Sequence, residues 1–324
     1  MSLRIGIIGA ARVATYAMIA PAQRRDDVVV VAVAARDAAR AAAYAATHGI
    51  PRSFGDYAAM VADPDIDAIY VATPPAFHLE QARLALRAGK PCLVEKPFTL
   101  NAAEAEALLA EAQAAGVVMV EAQHSLCHGF WSIAAEAAVN AIGRPVHIDA
   151  WFNAPVRTDA TEFRWQAGLG GGALMDLGVY PLAWVWAYGG WPLAAREVSF
   201  RLERQADAAF AATLDLANGV TARVAADMAA PFGAQLKVTG SMGTLTIDNP
   251  LAPQRGGHAI TLETAAGITT LASPAEPGSY DAQLACFVDL VAGRAPWPLP
   301  PAHPLHSMQA IDLIRTAHQK ETLP

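Results

Sequence analysis

Lysine is scarce in this sequence. Of its 324 residues, four are lysine, namely Lys90, Lys96, Lys237 and Lys320. Arginine supplies the rest of the positive charge, and the formal net charge is −7. Because an acidic chain is repelled by phosphate groups, we expect no nucleic acid and no anionic membrane surface as a partner.

Cysteine is scarce too. Cys92, Cys127 and Cys286 are scattered and form no CxxC pair, which excludes a disulfide framework and a zinc motif. Few cysteines suit a reducing compartment, so we expect a cytoplasmic protein. Aspartate, glutamate and histidine form no cluster with metal-ligand spacing, so no metal is expected.

The sequence shows no signal-peptide pattern at its start and lacks an uncharged apolar run of about 18 residues, so it predicts no membrane span.

The length suits two domains. In the first, apolar runs that read as strands alternate with helical segments. These runs are Leu3–Gly9, Val28–Ala34, Ala68–Ala72, Cys92–Glu95 and Val117–Glu121. Such alternation predicts an α/β domain, a doubly wound parallel sheet of the Rossmann type, over residues 1–121.

The second domain is predicted over residues 122–324, where strand-like runs follow one another without helices between them. The dipeptide Asn218-Gly219 separates two of these runs and indicates a hairpin. This pattern is typical of an α+β domain with a large, open, mostly antiparallel sheet. Helical segments at about residues 280–320 are expected to close it.

A dinucleotide-binding turn is predicted after the first strand. The fingerprint G-x-G-x-x-G/A is represented by Gly9 and Ala14, with Ala11 in place of the middle glycine. The residues expected to contact the cofactor here are Gly9, Ala10, Ala11, Arg12 and Val13. At the tip of the second strand stand Ala35 and Arg36, and Asp37 suits a helix cap. Because a guanidinium suits a 2′-phosphate, Arg36 favours NADP, with NAD as the alternative.

Two further segments carry chemistry. Glu95-Lys96-Pro97 follows a short apolar strand, where a lysine can reach both cofactor and substrate. A glycine-rich run, 168–172, leads into an apolar helix that contains Asp176 and Tyr180. These two residues are four apart, so on a helix they share one face.

Read together, these motifs resemble the Gfo/Idh/MocA oxidoreductases, and within them the branch of dimeric dihydrodiol dehydrogenase and NADP-dependent sugar 1-dehydrogenases. The resemblance covers nearly the whole chain. It is carried by Gly-Ala-Ala-Arg at 9–12, Ala-Ala-Arg-Asp at 34–37, Thr73-Pro74 with His78, Glu-Lys-Pro at 95–97, Glu121-Ala122, Phe163-Arg164-Trp165 and Gly-Gly-Gly-Ala-Leu-Met-Asp at 170–176 with Tyr180.

The resemblance implies that Lys96 lies near the nicotinamide and that Tyr180 is the acid/base. It also implies a homodimer, or a higher homo-oligomer, through the flat face of the second domain's sheet. The further residues expected near the cofactor are Thr73, Pro74, His78, Glu95, Lys96, Glu121, Arg164 and Trp165. Relatives commonly have arginine, proline and asparagine where this chain has Leu126, Gly129 and Pro75. The loss of the arginine changes the charge near the substrate pocket, so the substrate stays open.

The hypothesis for the chemistry is oxidation of an alcohol, or its reverse. Tyrosine ordinarily titrates near pH 10, and a nearby ammonium favours the phenolate. We therefore expect Tyr180 to exchange the proton, Lys96 to lower its pKa and Asp176 to orient Lys96 or the substrate. The residues expected to contact substrate are Lys96, His124, Phe152, Trp165, Asp176 and Tyr180. A sugar, polyol or dihydrodiol is the expected small-molecule substrate. Two alternatives are a non-catalytic NAD(P) sensor and an NAD-dependent glycoside hydrolase.

Overall fold

The computed structural model describes residues 2–159 and 161–322. The chain divides into two compact units. The first comprises residues 1–123 and 280–305, and the second comprises residues 124–279 and 306–324. Across the described residues, no helix combines the length and the apolar character that crossing a membrane requires.

A six-stranded parallel sheet forms the centre of the first unit. Its order is β3-β2-β1-β4-β5-β6. The strands are β1 (Leu3–Ile8), β2 (Val28–Ala34), β3 (Arg52–Phe54), β4 (Ala68–Val71), β5 (Cys92–Glu95) and β6 (Met119–Ala122). The order reverses between β1 and β4, and ligands of such sheets bind at that switch point, outside the carboxyl ends of the strands. The predicted Rossmann fold is confirmed. Strand β3 was not predicted, because three residues are too few for an apolar run to stand out.

The helices of the first unit connect these strands. The main ones are Ala38–His48, Tyr57–Val61, His78–Arg87, Ala102–Ala115 and most of Ser279–Val291. After β1 a single helical stretch runs through Arg12–Ala14, a π-helical turn Thr15–Ile19 and Ala20–Ala22, and a 3-10 turn spans Pro75–Phe77. Three of these helices begin at side-chain caps: Asp37 accepts from the amides of Ala39 and Arg40, Asp56 from that of Ala59, and Asn101 from that of Glu104.

The helix Ser279–Val291 departs from the predicted division of the chain. All residues after 121 were predicted to lie in the second domain, whereas residues 280–305 group with the first unit. The reason is hydrophobic packing, since Leu284, Phe287 and Val288 are buried in the same core as Ile5 and Ile7 of β1. Periodicity along the chain shows that such a helix has an apolar face, but not which sheet that face covers.

The second unit is built on an eight-stranded sheet of order β14-β13-β12-β11-β7-β10-β9-β8. Within this sheet β7 and β10 pair in parallel and the other described strand pairs are antiparallel, so the predicted open, mostly antiparallel sheet is confirmed. Its strands are β7 (Pro145–Asn153), β8 (Pro192–Glu203), β9 (Ala206–Leu216), β10 (Thr221–Asp227), β11 (Gly233–Gly240), β12 (Gly243–Asp248), β13 (Ala259–Thr264) and β14 (Gly267–Leu271). The hairpin predicted at Asn218-Gly219 joins β9 to β10.

The helices of the second unit include Phe130–Ala141, Val179–Gly189 and His303–Thr322, whose residues from 306 onward belong here. A π-helical turn, Leu174–Gly178, leads into Val179–Gly189, and 3-10 turns span His124–Cys127, Phe163–Trp165, Ala167–Leu169 and Pro253–Arg255.

The start of the helical stretch that carries Asp176 and Tyr180 depends on one glycine. Gly172 has a φ of +108°, and a Cβ there would lie 1.9 Å from Oδ1 of Asp207. Asp207 accepts a hydrogen bond from the Leu174 amide at 2.8 Å, so its carboxylate caps the stretch. Burial raises the pKa of Asp207. Only glycine combines this backbone conformation with so close an approach of the carboxylate.

Candidate active site

The turn after β1 is closely packed against the end of β4. Gly9 has a φ of +108°, and a Cβ on it would lie 2.9 Å from Cγ2 of Thr73 and 3.2 Å from the backbone of Ala72. Ala11 is extended, and the helical stretch begins at Arg12. Backbone amides at the start of a helix point toward an anion. The predicted turn therefore fits a dinucleotide pyrophosphate, with Gly9 supplying the close packing that a side chain would prevent.

Two side chains that sequence reasoning missed hold this turn. Arg40 donates from Nη2 to the carbonyl of Ala10 at 3.0 Å, and the Tyr44 hydroxyl donates to the carbonyl of Ala11 at 2.9 Å. Both residues lie on helix Ala38–His48, one helical turn apart. That i,i+4 spacing just after β2 was the available signal, but it does not show which loop the helix faces.

At the tip of β2, Ala35 is buried and Arg36 is exposed. The Arg36 guanidinium lies 5.4 Å from the centre of the Phe77 ring, a cation–π arrangement that restrains the side chain. Asp37 is engaged as the helix cap, as predicted. The carboxylate nearest the tip is thus used for capping, while two arginines, Arg36 and Arg40, stand beside the turn.

His78 connects the loops that follow β4 and β5. It is fully buried, with Nε2 2.7 Å from the carbonyl oxygen of Thr73 and Nδ1 3.0 Å from that of Pro97. Burial lowers the pKa of His78. Thr73 itself donates from its hydroxyl to Oε1 of Gln81 at 2.5 Å. The structure thus places Thr73 and His78 as supports for the segment that carries Lys96.

Glu95 orients the same segment from its other side. Its Oε1 accepts a 2.5 Å hydrogen bond from the Tyr70 hydroxyl, and its Oε2 accepts from the Lys96 amide at 3.3 Å. Tyr70 is fully buried and Glu95 is 6% exposed. Burial, and then the neighbouring Glu95 carboxylate, raise the pKa of Tyr70 well above its usual value.

Glu121 holds the residue after Pro97. Its Oε1 accepts from the Phe98 amide at 3.1 Å, and its Oε2 lies 3.4 Å from Nδ1 of His303. Glu121 also lines a cavity of about 720 Å³ whose walls are largely apolar. The segment Glu95–Phe98 is therefore held by Tyr70 and Glu95, by His78 and by Glu121. Lys96 is half-buried at the carboxyl end of β5.

In the second unit, Tyr180 lies in an aromatic cluster and is 4% exposed. Its hydroxyl is 3.1 Å from Nε2 of His124, and the two rings meet edge to face. Phe152 packs edge-on against Tyr180 with ring centres 5.6 Å apart, and Trp184 lies at 6.3 Å. Three of the predicted substrate residues, His124, Phe152 and Tyr180, are thus brought together.

Asp176 is part of a buried ion-pair cluster. Arg164 donates from Nε to Oδ2 of Asp176 at 2.7 Å and from Nη1 to Oε1 of Glu162 at 2.8 Å. Both carboxylates are buried. Glu162 was missed because nothing in its sequence context distinguishes it from a surface glutamate. Arg164 orients Asp176, and its role toward a cofactor stays a prediction.

Trp165 is 6% exposed and donates its indole N–H to the carbonyl of Arg157 at 2.7 Å. The Arg204 guanidinium lies 5.6 Å from the centre of its ring. These contacts are those of a structural residue, and its predicted contacts with cofactor and substrate stay predictions. Leu126, where relatives commonly carry arginine, is 8% exposed and adds an apolar side chain to the buried part of this unit.

Comparison with known proteins gives the family. Residues 3–123 match the oxidoreductase family profile with an NAD-binding Rossmann fold, and residues 133–246 match the family's C-terminal domain. The chain belongs to the Gfo/Idh/MocA oxidoreductase family. The resemblance predicted from the motifs is confirmed.

Several relatives of this oxidoreductase have assigned activities. The dTDP-3,4-didehydro-2,6-dideoxy-alpha-D-glucose 3-reductase of Streptomyces antibioticus is 34% identical over 78% of this chain and 77% of its own. The D-xylose 1-dehydrogenase (NADP(+)) 2 of Haloferax volcanii is 31% identical over 75% of each chain. A 3-ketoreductase from Actinomadura kijaniata, solved with NADP and TDP-benzene, is 27% identical over 98% of each chain, with a TM-score of 0.87.

Within the described ranges no three histidine, cysteine, aspartate or glutamate side chains are grouped so that they could hold a metal ion. The acidic and histidine side chains of the site instead pair with arginine, tyrosine, serine or backbone groups.

The bond between Tyr70 and Glu95 gives a testable consequence. Tyr70→Phe leaves Glu95 Oε1 buried without this donor, and we expect the free energy of unfolding to fall by about 1.5–3 kcal/mol, as for hydrogen bonds to charged groups. Urea unfolding followed by circular dichroism measures the change. Tyr57→Phe, which alters a half-buried phenol of the same unit, is the matched control and should stay within about 0.5 kcal/mol. Equal losses in both variants would contradict the role given to Tyr70.

Proposed function

We propose that this protein is an NADP-dependent oxidoreductase that moves a hydride between the nicotinamide and a hydroxyl or carbonyl group of a sugar, polyol or dihydrodiol. The observation that carries the proposal is the firmly held Glu95–Phe98 segment. It places Lys96 at the carboxyl end of β5, on the edge of the sheet where Gly9 forms the dinucleotide turn. The family membership supports the reaction class.

The preference for NADP rests on the charge beside the turn. The dinucleotide supplies the acceptor or donor of the hydride, and Gly9 with the following helix start fits its pyrophosphate. Arg36 and Arg40 offer guanidinium groups to a 2′-phosphate. The acid that would otherwise bind a ribose hydroxyl, Asp37, is occupied by the helix amides. Two guanidinium groups beside the turn favour NADP, which carries the 2′-phosphate, over NAD.

Arg36→Ala tests the cofactor preference. Since a hydrogen bond to a charged group contributes roughly 1.5–3 kcal/mol, NADPH affinity should fall about 10- to 150-fold while NADH affinity changes little. Fluorescence titration of both nucleotides gives the two values, and Arg87→Ala, an exposed arginine at the end of helix His78–Arg87, is the control. Equal weakening of both nucleotides, or of neither, would show that Arg36 does not read the 2′-phosphate.

For the proton, we infer that Tyr180 is the acid/base. In oxidation, the substrate hydroxyl gives its proton to Oη of Tyr180 as the adjacent carbon gives up its hydride, and reduction reverses both transfers. Lys96 stabilises the phenolate by its positive charge. Asp176, which accepts a hydrogen bond from Arg164, orients a substrate hydroxyl or the ammonium of Lys96.

Tyr180→Phe should lower kcat by about 10²–10⁴-fold, the usual contribution of a general acid/base, with nucleotide binding unchanged. Tyr188→Phe is the matched control, because Tyr188 lies on the same helix and its buried hydroxyl has no hydrogen-bond partner among the described residues. Near-wild-type turnover by Tyr180→Phe would refute the assignment.

The substrate class is addressed by a panel with NADP+ and NAD+: D-xylose, D-glucose, glycerol and trans-1,2-dihydrobenzene-1,2-diol. The whole-chain likeness to a 3-ketoreductase supports a second candidate, reduction of a keto sugar carried on a nucleotide, which is assayed by NADPH consumption. Nucleotide binding without turnover of any compound favours the sensor alternative. Tightly bound nucleotide that survives purification, together with release of an aryl glycoside's leaving group, favours the hydrolase.

We also propose a homodimer, or a higher homo-oligomer, through the second unit's sheet. Helix Val179–Gly189 packs on one face, since a Cβ on Gly189 would meet Ile148 and Leu216. On the other face lie half-buried small side chains such as Ala211 and Ala225, which sit opposite each other on β9 and β10. Small side chains let two flat sheets approach closely.

Ala211→Arg places a charge on that face and should shift the protein from dimer to monomer, as measured by sedimentation velocity. Thr316→Arg, at an exposed position of the last helix, should leave the assembly as it is. A monomeric wild-type protein at micromolar concentration would overturn the proposal.

A further inference from the structure

The Tyr180 hydroxyl has a titratable neighbour inside its own unit. Nε2 of His124 lies 3.1 Å from Oη of Tyr180, and both side chains are buried, at 3% and 4% exposure. We propose that His124 is the proton partner of Tyr180: it takes the Tyr180 proton at Nε2 when a hydroxyl is oxidised and returns it when a carbonyl is reduced. This inference rests on the proposed function, because it requires Tyr180 as the acid/base.

The other side of the imidazole is anchored. Nδ1 of His124 lies 2.9 Å from Oγ of Ser279, which is itself fully buried. An imidazole whose two nitrogens face two hydroxyl groups can accept at one and donate at the other, and it can carry a proton on both. His124 therefore has defined partners in its neutral and in its protonated form.

Gln254 is hydrogen-bonded to Ser279 at both its amide and its hydroxyl. The Ser279 amide donates to Oε1 of Gln254 at 3.2 Å, so the orientation of that side-chain amide is determined. Its Nε2 then donates to Oγ of Ser279 at 3.3 Å. Oγ keeps a second lone pair, which can accept from Nδ1–H of His124. With the proton on Nδ1, the lone pair on Nε2 points at the Tyr180 hydroxyl and makes His124 a base.

The described second-unit groups around His124 and Tyr180 place no unpaired charge beside them, so His124 can act as the base. The rings of Phe152 and Trp184 lie against Tyr180 and carry no charge. Within this unit the charged residue nearest to Tyr180 in sequence is Asp176, one helical turn earlier, and it is paired with Arg164. Ser279, which contacts His124, and Gln254, which contacts Ser279, are both neutral.

The proton balance closes. In oxidation the Tyr180 proton first goes to Nε2 of His124, and the resulting phenolate takes the proton of the substrate O–H bond as that bond breaks. The carbon gives its hydride to the oxidised nicotinamide and becomes a carbonyl carbon. His124 ends with protons on both nitrogens and releases one to water before the next turnover. Because His124 acts on the substrate only through Tyr180, it is a positioning residue.

The pH profile separates this arrangement from a tyrosine assisted by lysine alone. Free histidine titrates near 6.5, and free tyrosine and lysine titrate near 10 or above. If His124 holds the proton, the oxidation rate should rise with pH with an apparent pKa nearer 6.5 than 10. Replacing His124 by a side chain that cannot be protonated should move that rise toward 10.

The experiment compares wild type, His124→Gln, Ser279→Ala and Tyr180→Phe. His318→Gln is the matched control. His318 contacts Val198 and Phe200 on β8, and this strand is three strands away from β7, which carries Phe152 of the Tyr180 cluster. Turnover is followed with NADP+ and the panel compound that gives the highest rate, between pH 5 and pH 10, and NADPH binding is followed by fluorescence. A second readout needs no substrate: the ultraviolet absorbance of tyrosinate, as the difference between each protein and its Tyr180→Phe counterpart.

We expect His124→Gln to lower kcat by about 10- to 150-fold, the range for loss of one hydrogen bond to a charged group. Its KM and NADPH affinity should be unchanged, while the pH profile and the tyrosinate titration move upward. Ser279→Ala should move the pH profile and the tyrosinate titration in the same direction by a smaller amount. This variant provides the test if His124→Gln does not fold. His318→Gln should behave as wild type.

Two results separate the failures. If Tyr180→Phe is inactive but neither His124→Gln nor Ser279→Ala moves the pH profile or the tyrosinate titration, the proton partnership is overturned and the proposed function stands. If Tyr180→Phe keeps near-full activity, the proposed function fails at Tyr180 and the partnership fails with it.

Discussion

The hydrogen bond between the Tyr70 hydroxyl and the Glu95 carboxylate is the contact on which the first unit's site depends. An ionised carboxylate buried beside apolar strands costs several kcal/mol unless donors compensate it. Tyr70 supplies one donor and the Lys96 amide supplies another. Since the second donor belongs to the residue that carries the chemistry, satisfying Glu95 also determines where the Lys96 backbone lies. The same hydrogen bonds therefore stabilise the strand ends and determine the geometry of the site.

His78 and Glu121 hold the backbone of the two residues that follow Lys96, namely Pro97 and Phe98. His78 approaches the carbonyl of Pro97, and Glu121 accepts from the amide of Phe98. Both come from neighbouring elements of the same sheet edge, the helix after β4 and strand β6. The motifs predicted cofactor contacts for both residues, yet both bind loop backbone atoms, and Glu121 also lies 3.4 Å from His303. A residue can be characteristic of a nucleotide-binding family because it shapes the loop that meets the nucleotide.

In the second unit, an ion-pair cluster holds Asp176 and aromatic packing holds Tyr180. Arg164 lies between the buried carboxylates of Asp176 and Glu162, and such a cluster is costly to break, because removing one member leaves an uncompensated charge. One helical turn later, Tyr180 is enclosed by Phe152 and Trp184 and meets His124. The helical stretch thus presents a carboxyl group and a phenol on one face, and the capping of its start by Asp207 helps to hold both in place.

The sequence by itself determined the elements whose cause is local. Apolar runs set the strands β1, β2 and β5, Asp37 and Asn101 set two helix starts, Asn218-Gly219 set a hairpin, and the motif order indicated the family. The tertiary structure decided what depends on partners far along the chain. Residues 280–305 pack on the first unit because Phe287 and its neighbours complete the core over β1. Arg40 and Tyr44 hold the glycine turn from more than 28 residues away, and Ser279 faces His124 across 155 residues of sequence. No local pattern encodes such pairings, because periodicity shows which face of an element is apolar but not what that face meets.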